Sequence, residues 1–177
     1  MPRNPYDRLA KVPSFDVSST DVKDGEELAV PHRSGIFGAG GQDVSPQLSW
    51  EGFPAGTQSF AITVYDPNAP TPSGFYHWAV MDIPVTTTSL DTGAGDDEGS
   101  GLPAGAVQLP NDAGLRRFLG AAPPPGNGRS DYYIAIHAVD VPSLGLDPGS
   151  SPAFLGFNLS MHTLGRAIIT PWYEVPA

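Results

Sequence analysis

The chain has 177 residues, no cysteine, and a formal net charge of -10 from 9 Lys+Arg against 19 Asp+Glu. That length suits one domain with its own core, and the missing thiols exclude a disulfide framework, a thiolate metal site and a cysteine nucleophile. The negative field, with no basic cluster longer than Arg116-Arg117, argues against nucleic acid as a partner and against docking on anionic membranes.

In chain order, Pro2 to Val12 reads as a polar lead-in along the surface. It lacks an apolar signal region, and no later apolar run approaches bilayer length, which predicts a soluble, unexported, cytoplasmic protein with no membrane insertion. Phe15, Val17, the turn Lys23-Asp24-Gly25 and a return over Leu28 to Val30 suggest a hairpin-like entry. Ser34 to Gly41 holds four glycines without the spacing of a phosphate-binding loop, and so predicts a mobile turn.

Ser59 to Pro84 organises the rest. Phe60, Ile62 and Val64 alternate with Ala61, Thr63 and Tyr65, the period of a strand with two different faces. Asp66 ends that strand, and the loop DPNAPTPSG is stiffened by Pro67, Pro70 and Pro72. Tyr76 to Ile83 resumes strand composition with His77 at its start, bringing a carboxylate and an imidazole to one sheet edge.

Thr86 to Gly114, with glycines and the acidic run Asp96-Asp97-Glu98, reads as a long solvated connection. Gly120 to Gly126 is a Pro-rich elbow before a second strand, Tyr132 to Val139. Ser151 and Pro152 open one helix, capped by the serine and continuing through Arg166, before β-like Ala167 to Thr170. With 20 Pro and 21 Gly, all-β is the expected class.

DPNAP followed by GFYHWAV resembles the DPDAP and GxxHW motifs of the phosphatidylethanolamine-binding proteins, also called Raf kinase inhibitor-like proteins. VSPQLSWEGFPAGTQSF is similar to that family's SPxLxW segment, and Gly120 to Tyr132 resembles its Gly/Pro-rich segment ending in HRY. The resemblance implies one domain over residues 1–177, an antiparallel β-sandwich with short peripheral helices, of the bacterial branch. It implies that Asp66 and His77 line a small anion-accepting pocket with Pro70 as a wall, and that the Ala69-Pro70 bond is cis. Asp66 is then expected to fix the imidazole tautomer while His77 donates to a phosphate or carboxylate oxygen. With the elbow beside the Asp66 loop, Asn68, Gly120, Ala121, Ala122, Ser130 and Tyr132 complete the expected ligand-binding set. A homodimer is implied only through bacterial relatives; regulation of a kinase or protease occurs in the family, but no protein partner is named by this sequence.

The departures carry information too. Asn68 replaces the motif's second aspartate, Ser130 and Asp131 stand where HRY places His and Arg, and Pro171-Trp172 precede the terminal Tyr173-Glu174. Exchanging Arg for Asp moves the local charge by two units and weakens a phosphate site. The expected role is therefore binding of a small phosphate- or carboxylate-bearing ligand. The alternative is an enzyme in which the pocket performs acid/base chemistry, cyclisation or isomerisation, on a small, largely apolar substrate, with His77 as acid/base and Tyr132 as donor. Ser130, His77 and Asp66 also make up an acyl-transfer inventory, although no GxSxG elbow accompanies them. The four histidines lack paired ligand spacing, so neither a metal nor another cofactor is expected, and His137 is read as structural.

Overall fold

The computed structural model describes residues 4–177. Its strands in chain order are β1 (Asp16–Ser18), β2 (Leu48–Glu51), β3 (Ser59–Asp66), β4 (Phe75–Pro84), β5 (Ser89–Leu90), β6 (Val107–Gln108), β7 (Ser130–Asp131), β8 (Tyr133–Val139), β9 (Thr163–Ile169) and β10 (Trp172–Tyr173). One α-helix, α1 (Pro152–His162), precedes β9. The main sheet has the order β6-β4-β3-β8-β9, entirely antiparallel, and two smaller sheets, β1-β2-β5 and β10-β7, accompany it. Among the described residues these antiparallel sheets with a single α-helix make an all-β sandwich without a closed barrel.

The period-2 pattern sets the layering. Phe60, Ile62 and Val64 join Trp50, Trp78, Ile134 and Ile136 in a core between the main sheet and the smaller ones. Ala61 and Ala79 face the other way and, being small, let Leu155 and Leu159 of α1 sit close to the sheet. Ser151 caps α1 by accepting from Phe154 N at 3.1 Å. Phe154 on the same helix is about half exposed. Among the described residues no helix is long and apolar enough to cross a membrane.

Several local expectations are corrected. The turn at Lys23 to Gly25 forms, but β1 pairs with β2, and Val30–His32 is a short 3-10 turn rather than a returning strand. Of the lead-in expected over Pro2 to Val12, residues 2 and 3 lie outside the described residues, and Pro5–Arg8 is a 3-10 turn. Thr86 to Gly114 carries β5 and β6 and buries Ala94, Leu109 and Asn111. The helix stops at His162, where β9 begins, four residues before the expected end at Arg166 and the expected strand start at Ala167.

Ser34 to Gly41 is tied down rather than mobile. The Asp43 carboxylate accepts from Gly35 N and Ile36 N at 2.9 Å each and from Gly120 N at 2.8 Å, joining the turn to the elbow. Burial pushes the Asp43 pKa up, but these donors together with Ser34 outweigh it and leave the group below its ordinary value. Gly120 has to be glycine because a Cβ there would lie 2.3 Å from the Arg33 carbonyl carbon.

Candidate functional site

Asp66 is the last residue of β3 and is 3% exposed. Its Oδ1 accepts from Asn68 N at 2.7 Å, closing a turn that starts the proline loop. The loop is braced by Tyr65 Oη donating to Ser73 O at 3.0 Å and by Thr71 Oγ1 donating to Gly74 O at 2.6 Å. Gly74 closes it at φ +67°, with so little space that a Cβ would fall 2.4 Å from Tyr65 Oη. No cis peptide bond occurs among the described residues, so Ala69-Pro70 is trans, contrary to expectation.

The position of His77 depends on a bulge. Val64 pairs with Trp78 and Tyr65 with Tyr76, leaving His77 as the extra residue of β4. Strict alternation would send His77 and its neighbour Trp78 to opposite faces, whereas the bulge turns both toward the sandwich side. The imidazole packs edge-on against Tyr132, with centroids 5.2 Å apart, and against Phe75 at 4.9 Å.

The elbow is clamped to His77 at two points. Leu119 N donates to His77 O at 3.0 Å, and His77 Nδ1 lies 2.9 Å from Leu119 O. A carbonyl only accepts, so Nδ1 carries the proton and Nε2 holds a lone pair. Leu119, not Asp66, therefore fixes the tautomer. Burial pushes the His77 pKa down to about 4, although the bond to Leu119, the nearby Gly120 backbone and the charge of Asp43 favour protonation. Burial likewise raises Asp66 above the ordinary carboxylate value, against the backbone N–H groups of Asn68 and Ala69 and the nearby Ser130 hydroxyl.

These elements enclose a cavity of about 220 Å³. Asp66, Pro70, His77, Ala122 and Tyr132 line it, as do Phe37, Ala69, Thr71, Phe75, Leu119, Pro123 and Pro124, which were not assigned to the site from sequence. Asn68, Gly120, Ala121 and Ser130 are not part of its lining. Asn68 Oδ1 accepts from Asp131 N at 3.0 Å, tying the loop to β7, and Gly120 and Ala121 pack on the Arg33–Ser34 backbone. The Pro-rich elbow signalled part of this wall in the sequence. Phe37 gave no local signal, because a contact through Asp43 carries it to the cavity mouth.

Among the described residues no Lys or Arg lines the cavity. Asp131, at the position where the resemblance implies arginine, pairs at 2.8 Å with Arg129. Ser130 and Tyr132 are buried, and neither hydroxyl makes a hydrogen bond among the described residues. Both hydroxyls stand near enough to Asp66 to be felt there: Ser130 holds its pKa down, and burial plus the Asp66 charge raises that of Tyr132. A Ser130–His77–Asp66 relay is not formed, because His77 Nδ1 is engaged by Leu119. Among the described residues no group of three His, Asp or Glu side chains could hold a metal ion.

Comparison with known proteins agrees with this architecture. The sequence model of the phosphatidylethanolamine-binding protein family matches residues 18–174. The UPF0098 protein YbcL of Escherichia coli K12 is 44% identical over 94% of this chain and 91% of its own length, and YbhB of the same strain is 42% identical over 88% and 98%. The crystal structure of YbcL, described as a new member of the mammalian PEBP family, superposes with a TM-score of 0.89 over 92% of this chain and 99% of that one. A Chlamydia trachomatis homolog at 24% identity and a TM-score of 0.75, covering 91% of this chain and 97% of its own, shares the fold. The chain belongs to the phosphatidylethanolamine-binding protein family.

Proposed function

We propose that the chain is a binding module for a small phosphate- or carboxylate-bearing ligand, and that the ligand enters the cavity together with a proton. The observation that carries this reading is the engaged Nδ1 of His77, which leaves Nε2 as an acceptor beside a second acceptor, Asp66. Two acceptors and no lining cation repel a fully ionised phosphate at neutral pH. A phosphate or carboxyl group that brings one proton meets the same wall favourably. Its O–H faces His77 Nε2, or the proton moves there to give an imidazolium hydrogen-bonded to the anion. The unpartnered hydroxyl of Tyr132, which lines the cavity, supplies a further donor near Asp66.

Titration calorimetry with phosphoethanolamine at pH 5.5, 6.5 and 7.5, in buffers of different ionisation heat, tests this. The expected result is uptake of up to one proton per ligand and an affinity that falls by as much as about tenfold per pH unit as pH rises. His77→Ala abolishes both. Affinity independent of pH and without proton uptake overturns the proposal. A second reading, acid/base catalysis on a small, largely apolar substrate, is favoured by one specific observation: the cavity sets a carboxyl with raised pKa near an imidazole with lowered pKa. Turnover of a neutral substrate, lost in both His77→Ala and Asp66→Asn, distinguishes it.

A further inference from the structure

A second pair of adjoining cavities lies on the helix side of the main sheet, under the N-terminal segment. The inner one, about 120 Å³, is walled by Leu9, Val12, Tyr76, Gly156 and Leu159. The outer one, about 350 Å³, opens past Asp7, Lys11 and Ser14. Tyr6 and Arg166 line both, and Thr63 and His137 line the inner cavity.

Arg166 on β9 stands directly across from His137 on β8. Its Nε donates to His137 Nδ1 at 3.2 Å, and its guanidinium lies 4.7 Å from the centre of the Tyr6 ring. A guanidinium has five N–H donors. Among the described residues, those on Nη1 and Nη2 have no hydrogen-bond partner, and no carboxylate pairs with Arg166. Arg33, Arg117 and Arg129 each pair with an acidic side chain. In a chain with 19 acidic and 9 basic residues, a partly buried arginine left without an acid is the exception. Burial also holds its pKa below the ordinary value, as an uncompensated cation requires.

We propose that Arg166 and these cavities form a second ligand site for a small organic carboxylate, with the carboxylate on the Arg166 fork and the hydrocarbon part in the inner cavity. A planar guanidinium matches a carboxylate through two parallel N–H bonds, and one positive charge matches a monoanion. Asp7 and Lys11 offset each other at the rim, so Arg166 would leave one charge of a phosphate dianion uncompensated. The inner cavity equals the volume of roughly four waters at about 30 Å³ each, enough for a propyl or butyl group. The site stands apart from the His77 cavity, on the other face of the sheet.

NMR titration of the full chain with butyrate, butyramide and inorganic phosphate tests the site. Butyrate at millimolar concentration gives saturable shifts at Tyr6, Thr63, Ser160 and Thr163, whereas butyramide and phosphate bind at least about tenfold more weakly. Arg166→Gln weakens butyrate at these residues by about tenfold or more. Gly156→Ala keeps the test decisive if the arginine variant fails to fold. The added Cβ would lie 3.8 Å from Tyr76 Oη without a clash, alanine favours the helix, and the methyl takes room from the inner cavity. Butyrate then weakens about threefold or more while acetate, which has no tail, binds as before. Absence of saturable shifts at Tyr6, Thr63, Ser160 and Thr163, an equal response there to butyramide, or butyrate affinity unchanged in Gly156→Ala overturns the proposal.

Discussion

His77 and His137 occupy opposite faces of the main sheet, two strands apart, and by the usual signs they are the same kind of residue. Both are buried, and burial pushes one pKa to about 4 and the other to about 3. What separates them is the second nitrogen. His137 Nδ1 accepts from Arg166, so its proton sits on Nε2, 2.9 Å from Thr63 Oγ1, and both nitrogens are engaged. His77 spends Nδ1–H on Leu119 and presents Nε2 to a cavity. A depressed pKa therefore marks burial on either face, while an unengaged nitrogen marks the histidine that can itself bond a ligand.

The largest expected difference between the two lies in stability. His137→Ala leaves Arg166 Nε and Thr63 Oγ1 without their partner in a buried setting, and is expected to cost about 3 kcal/mol. His77→Ala strips one carbonyl, that of Leu119, beside a cavity that water can enter, and is expected to cost about 1 kcal/mol. Urea unfolding at pH 7 measures both, and equal costs would break the distinction.

Acid pH tests it next. Both folded pKa values lie below the ordinary 6.5, so the unfolded chain binds more protons as pH falls. Stability present above pH 6.5 is lost on the way to pH 4, at most about 3 kcal/mol for each histidine. Asp66 acts in the opposite sense, since its raised pKa favours the folded state as its proton is taken up. Unfolding midpoints at pH 7, 5.5 and 4.5 are expected to fall less steeply in His77→Ala than in the parent chain. Saturating phosphoethanolamine flattens the parent's slope by the same means, because a bound anion raises the His77 pKa. A slope that neither change alters would mean that His77 does not titrate as its surroundings dictate.

The asymmetry between the two histidines was only partly legible in the sequence. Alternation over Ser59 to Tyr65 reveals β3, and the motifs around Asp66 and His77 reveal which strand ends meet. The direction of His77 depends on the register skip opposite Val64 and Tyr65, which is a property of two paired strands. Its tautomer depends on Leu119, 42 residues away. Asp43 reads as an ordinary loop acid until it reaches Gly120, 77 residues on, and pins a turn expected to be mobile. The entry failed as a hairpin for a similar reason: β1 buries Val17 against Trp50 of β2, a pairing that local turn chemistry does not encode. Asn68, Gly120, Ala121 and Ser130 lie in the right segments, yet their side chains or backbones are spent on holding the wall together.

Tyr132 supplies the smallest and sharpest test. Its ring packs on His77 and lines the cavity, while its hydroxyl is buried without a partner beside Asp66. A buried hydroxyl with no hydrogen bond costs stability, so Tyr132→Phe in the ligand-free chain is expected to be neutral or stabilising by about 1 kcal/mol. The same change removes a donor from the ligand and is expected to weaken phosphoethanolamine by about fivefold. Opposite signs on stability and affinity identify a group kept for recognition at the expense of the fold. Loss of stability with unchanged affinity would make this wall as structural as the Thr63–His137 pair behind the sheet, and would shift recognition away from the Asp66 corner.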